Sequence, residues 1–127
     1  MKRIFKTRHF SRWMRKTELT DSALCGAVVE MTEGLIDANL GGNVVKKRVG
    51  LAGRGKSGGV RTLIATNKGS RWFFVFGFEK NDRANITADE LGALQDIAHD
   101  LLSRTDPELD KAVAESLLQE ICHENKD

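Results

Sequence analysis

The chain contains no tyrosine, a single proline and two cysteines in 127 residues. Without tyrosine, no phenol is available as a catalytic acid or base. One proline, Pro107, leaves no proline-rich linker. Cys25 and Cys122 lie far apart and form no Cys-x-x-Cys pattern, so two reduced thiols in helices are expected. A disulfide would be unusual for a cytosolic chain. His9, His99 and His123 are scattered, which predicts no metal site, and nothing in the sequence calls for a cofactor. No apolar run approaches the roughly 20 residues of a bilayer span, so no membrane association is expected. The basic N-terminus is not followed by the apolar core of a signal peptide, and the expectation is a cytoplasmic protein.

What the chain does have is charge, unevenly placed. Residues 1–83 carry 17 Lys and Arg against 7 Asp and Glu, a net of +10. Residues 84–127 carry 3 against 11, a net of −8. The overall +2 hides a basic body with an acidic tail, a pattern that suits a polyanion partner. The length fits one domain over residues 1–127, and a hydrophobic share of 40% supports one core.

Residues 2–7 alternate as a short strand. Phe10, Trp13 and Met14 then fall at helical spacing, with Arg8, Arg12, Arg15 and Lys16 on the other faces as nucleic-acid contacts or a solvated surface. Thr20 and Asp21 are N-cap types, and Leu24, Ala27, Val28, Met31 and Leu35 form the next apolar stripe. A helical hairpin over residues 8–37 follows. Residues 39–43 read as a turn, 44–51 as a strand, 53–59 as a mobile glycine-rich loop, and 60–66 and 71–78 as a strand pair joined by a hairpin. In the last strand, period two puts Trp72, Phe74, Phe76 and Phe78 on one face and Phe73 and Val75 on the other. Thr87 to Glu90 has capping-box form before an amphipathic helix. Asp106-Pro107 opens a final acidic helix, with Leu109, Val113, Leu117 and Ile121 as its stripe. The predicted fold is α+β: a small antiparallel sheet with an N-terminal helical hairpin packed on it and C-terminal helices. Residues 105–127 form an additional acidic helix in this reading.

The richest stretch runs from Val44 to Arg83. Within it, Gly50 to Ser57 reads GLAGRGKS and matches the P-loop pattern letter for letter. A P-loop needs a helix after the lysine, so that N-terminal amides face a phosphate. Here Gly58, Gly59 and a β-branched run predict a strand instead, and nucleotide hydrolysis is rejected. The cations remain. Lys46, Lys47, Arg48, Arg54, Lys56, Arg61, Lys80 and Arg83 sit on three consecutive strands and their connections. Such a cluster suits a phosphate backbone, with neighbouring aromatics either in the core or stacking bases.

The stretch from Val45 to Thr87 combines Lys-Lys-Arg, the GRGKSGG segment ending in Arg61, an aromatic strand and Phe-Glu-Lys-Asn. It resembles the RelE/ParE toxin superfamily, on its RelE- and HigB-like branch from bacterial toxin–antitoxin pairs, over residues 1 to about 103. The resemblance implies a ribosome-dependent mRNA endonuclease that inhibits translation and is neutralised by an antitoxin, expected to be a small helix-turn-helix protein. Its partners would then be the ribosome and mRNA. The chemistry implied is attack by a ribose 2′-hydroxyl on the adjacent phosphate. Positions matching the family's basic site are Lys47, Arg48, Arg61, Lys80 and Arg83 as catalytic residues, with Lys46, Arg54 and Lys56 as RNA contacts. Arg61 and Lys80 would stabilise the phosphate, and Lys47 or Arg48 would position or activate the nucleophile. One departure stands out: no tyrosine, and no histidine between His9 and His99, supplies the stretch with a base for neutral pH. Two alternatives stay open: a ParE-like inhibitor of DNA gyrase, and a non-catalytic nucleic-acid-binding module.

Overall fold

A computed structural model describes residues 2–51 and 55–123. The chain runs β1 (Arg3–Thr7), α1 (Arg8–Met14), α2 (Asp21–Thr32), β2 (Ala38–Gly41), β3 (Val44–Leu51), β4 (Gly55–Thr66), β5 (Arg71–Glu79), α3 (Ala88–Leu102), α4 (Asp106–Ala114) and β6 (Leu118–Ile121). Among the described residues six strands form one sheet in the order β2-β3-β4-β5-β1-β6. The α+β class holds. Pairing is antiparallel except between β1 and β5, which run parallel. Their connection passes through two helices and three strands, and that length allows a parallel neighbour.

Local chemistry starts the helices. Thr7, Thr20, Thr87 and Thr105 are the four N-caps, each accepting a backbone N–H through its hydroxyl. Thr87–Glu90 and Thr105–Glu108 are both capping boxes, and Pro107 sits in the first turn of α4.

Two cores lie on opposite faces of the sheet. α1 and α2 cover one face, burying Phe10, Leu24, Val28, Val45, Ile64, Trp72 and Phe74. α3 and α4 cover the other, burying Phe5, Leu63, Phe73, Leu94, Leu101 and Leu109. The helical hairpin is thus placed as expected.

Three sequence expectations change. The turn at residues 39–43 contains part of β2, whose Ala38 and Asn39 pair with Lys46 and Val45. The final helix stops at Ala114, and Leu118–Ile121 becomes an edge strand on β1. Ser116 takes a left-handed conformation at φ 63°, which breaks the helical run. The thiols are also not free: Cys25 and Cys122 are disulfide-bonded, with Cα atoms 5.5 Å apart. Cys25 is in α2, whereas Cys122 follows β6 rather than lying in a helix. Only the β1–β6 pairing returns residue 122 to α2, so chain separation carried no hint of it.

Among the described residues, α4 packs at the start of β1 and β5 and not over the basic strands β3 and β4. Asp106 and Asp110 pair with Arg3 at 2.9 and 2.7 Å, and Asp106 also with Arg71 at 2.9 Å. These contacts pin α4 to the start of β1 and β5. The Arg3 guanidinium, chiefly through Glu120, is held even further toward its charged form, and Asp106 is pushed below the usual carboxylate range by Arg3.

Candidate nucleic-acid interface

β4 runs through Lys56 and Ser57 without a break. No helix follows the GLAGRGKS segment, so the mechanical requirement of a P-loop is not met. Gly59 has a packing role: a Cβ there would sit 2.0 Å from the Val49 carbonyl oxygen on β3. The loop expected over 53–59 is therefore strand from Gly55 onward.

A bulge in β5 decides which side chains share the site. Leu63 pairs with Phe76 and Ile64 with Phe74, so Val75 is an extra residue. Alternation flips at that point. Trp72 and Phe74 stay in the α1/α2 core, while Phe73 and Val75 enter the other core with Phe76 packed against it. Phe78, 6.5 Å from Phe76 between ring centroids, follows Phe76. The expected single face of Trp72, Phe74, Phe76 and Phe78 is thus split by one inserted residue. Gly77 turns the opposite way, beneath Trp13; a Cβ there would come within 2.2 Å of the indole.

On the α3 side, beyond the helix, Arg48 on β3 pairs directly with Arg61 on β4, which pairs with Phe78 on β5. Lys46 lies two residues before Arg48 on the same face, half-buried. Arg48 is exposed, with Nε 3.5 Å from Asp37 Oδ1. Arg61 is half-buried, and its Nη1 is buried with no hydrogen-bond partner. Arg83 closes the far side. Its guanidinium carbon lies 5.8 Å from the Phe76 centroid and 5.9 Å from that of Phe78. Glu90 braces it, accepting from Nη1 at 3.0 Å and Nη2 at 2.5 Å. The same carboxylate accepts from Thr87 N at 2.8 Å. Arg83 first, then the Thr87 amide, hold the Glu90 carboxyl below its ordinary range. One carboxylate thus fixes both the start of α3 and a cation of the site.

The remaining predicted residues divide. Lys80 is exposed in the turn after β5. Lys47 points to the opposite face, 4% exposed, with Nζ 2.8 Å from Glu30 and donating to the Leu35 carbonyl at 2.8 Å. The fold does not bring it together with Arg48 and Arg61. Arg54 and the side chain of Lys56 lie outside the described residues. Among the described residues no group of histidine, cysteine and carboxylate side chains could hold a metal ion. No helix among the described residues is long and apolar enough to cross a membrane.

The family model for the RelE toxin of the RelE/RelB toxin–antitoxin system matches residues 2–121. The chain belongs to the RelE toxin family. It is therefore a toxin of a toxin–antitoxin system, and RelE-family toxins pair with an antitoxin. The match reaches the end of β6, so it takes in α4 and extends beyond the residue-103 limit read from motifs. No curated protein matches the chain.

In this RelE toxin one residue beside the cations escaped the sequence reading. His9, exposed at the start of α1, stacks on Phe76 with ring centroids 5.6 Å apart and planes 9° off parallel. The two rings border a groove of about 500 Å³ between α1, the β5 bulge and α3, lined also by Arg8, Glu90, Leu94 and Ile97. No local pattern marks His9. Its placement follows from the parallel pairing of β1 with β5, which sets Lys6 beside Phe74 and so delivers the next turn of chain to the bulge.

Proposed function

We infer that this toxin cuts mRNA on the ribosome, using the cations of β3, β4 and the β5–α3 connection. The observation that carries the reading is the unpartnered, buried Nη1 of Arg61 directly across from Arg48. Like charges directly opposite on a ladder are destabilising, and while Arg48 already meets Asp37 at 3.5 Å, the bare Nη1 of Arg61 is left to donate to an anion. A phosphodiester supplies that anion. A 2′-hydroxyl attacks the adjacent phosphorus and gives up its proton as the P–O5′ bond breaks, and the leaving 5′-oxygen takes up a proton, so no net proton is gained or lost. The products are a 2′,3′-cyclic phosphate and a 5′-hydroxyl end. Charge grows on the phosphate oxygens during the attack, and fixed cations lower that barrier. Arg61 and Arg48 take this role, with Lys46 and Lys80 drawing in the flanking backbone. Arg83 is held in place by Glu90 before any substrate arrives, so its position costs nothing at the moment of reaction. Lys47, fixed by Glu30 and Leu35, supports β3 from behind. His9, exposed and backed by Phe76, provides a ring at the edge of the cationic area on which a base can stack, while Phe76 and the buried Phe78 support Arg83.

This reading places the toxin in the cytoplasm, with the ribosome as its working partner and a small helix-turn-helix antitoxin as its inhibitor. Primer extension on mRNA translated in a reconstituted system tests it. Defined cleavage that depends on ribosomes supports the reading. Removing the guanidinium in Arg61→Met should reduce cleavage by roughly 10²- to 10³-fold. Intact mRNA on active ribosomes overturns the reading. If gyrase–DNA cleavage complexes accumulate at the same time, gyrase inhibition replaces it.

A further inference from the structure

A second basic groove lies on the α1 side of the molecule. α1 places Phe10 and Met14 in the core. That orientation sends Arg8, Arg12 and Arg15, spaced i, i+4 and i+7, to the opposite, exposed side. They line a cavity of about 530 Å³ whose other wall is the α4–β6 connection and β6, including Ser116, Gln119 and His123. None of the three arginines pairs with a carboxylate among the described residues. One carboxylate lines the cavity, that of Glu120, and both its oxygens are taken by Arg3 at 2.8 and 2.9 Å. Ser11, on the floor, has a buried hydroxyl oxygen with no hydrogen-bond partner.

We propose that this groove is a second phosphate-binding site, which takes the backbone of an RNA strand beyond the point of cleavage. Like charges at i, i+4 destabilise a helix, so Arg8 and Arg12 on α1, with Arg15 at its C-cap and none of the three paired with a carboxylate among the described residues, gain from a bound anion. Their steps along the axis, about 6 Å and about 4.5 Å, are comparable with the separation of neighbouring phosphates. The buried Ser11 hydroxyl adds a donor, and the groove walls limit the ligand to something narrow. Continuity favours RNA over other polyanions. Arg8 lines both this cavity and the groove beside His9 and Phe76. From there the Phe76 and Phe78 rings lead to Arg61. A single strand can thus run from the cations of β3 and β4, past the largely apolar groove with its His9 and Phe76 rings, to the arginines of α1 and its C-cap.

The inference rests on the RNA-cutting reading, and the test separates the two. The probe is a short, fluorescein-labelled oligoribonucleotide, 2′-O-methylated throughout, which binds but offers no attacking hydroxyl. Its anisotropy is titrated at several salt concentrations against the wild-type chain, R12A/R15A and R61M. The arginines changed in the double variant are exposed, and thermal melts confirm that the fold is kept. The expected result is roughly tenfold weaker binding by R12A/R15A, with a salt slope lower by about 1.4 for two lost phosphate contacts. Wild-type affinity and slope in R12A/R15A, with weakened binding in R61M, overturn the groove proposal and leave the cleavage reading standing. Absence of binding by the wild-type chain overturns both. Unchanged RNA binding by R12A/R15A, with lost binding to an oligoglutamate peptide or to phosphatidylglycerol vesicles, overturns the RNA assignment in favour of that ligand.

Discussion

Arg48 and Arg61 stand directly opposite each other across the β3–β4 ladder, two cations at a position where opposite charges would stabilise the pair. The fold tolerates this arrangement, and the buried Nη1 of Arg61 finds no partner to relieve it. Stability and activity should therefore respond in opposite senses. Arg61→Met, which keeps the aliphatic stem over Phe78, should leave the melting temperature unchanged or raise it while abolishing most mRNA cleavage. Thermal denaturation beside the ribosome assay checks this. A large fall in melting temperature would show that Arg61 is a structural residue instead.

Glu90 joins the site to α3, and Gln separates its two roles. A glutamine can still serve the capping box, but it cannot hold Arg83 as an ion pair. The folded-state carboxyl lies below its ordinary range. Its contribution is thus present above the unfolded glutamate range and disappears as pH falls through the lowered folded value. Urea midpoints of wild type and Glu90→Gln should differ at neutral pH and converge in strong acid. A gap that stays constant with pH would exclude the ion pair as its source.

Gly77 cannot accept a side chain while Trp13 rests on it. Gly77→Ala forces the indole aside and should cost about 1–3 kcal/mol. Pairing it with Trp13→Leu should recover part of that loss, and a double-mutant cycle by urea denaturation measures the recovery.

The Cys25–Cys122 bond closes a loop with a sequence separation of 97. On the chain-entropy account, a loop of that size stabilises the fold by about 4–5 kcal/mol. Reductant, or the Cys25→Ser/Cys122→Ser variant, should lower the denaturation midpoint correspondingly. Identical midpoints with and without reductant would show that the cross-link constrains the unfolded chain little.

His9 offers an exposed ring backed by Phe76. His9→Ala should weaken binding of the 2′-O-methylated oligonucleotide by about 1–3 kcal/mol, the scale of one base–aromatic stack. His9→Phe should restore it. Equal weakening in both variants would point to the imidazole nitrogens rather than the ring face.

Much of this molecule is written in local sequence. Threonine caps, Pro107 and apolar stripes set where helices begin and which side they bury, because those signals act over three or four residues. The shared face of Lys46 and Arg48 was legible for a similar reason, since period two assigns faces within a strand, whereas Arg83 lies beyond β5 and is placed by Glu90. What tertiary structure decided depends on pairings between distant segments. One inserted residue, Val75, reversed the facing of half an aromatic strand, and only its register against Leu63 and Ile64 shows it. Alternation along β3 already sets Lys47 on the face opposite Lys46 and Arg48, but only the packing of α2 supplied its partner, Glu30. Pairing of β1 with β5 brought His9 to Phe76, and pairing of β1 with β6 brought Cys122 to Cys25. A strand's hydrogen-bonding edges carry no label for their partner. Burial of both sheet faces at once selects the register, and that selection belongs to the whole chain.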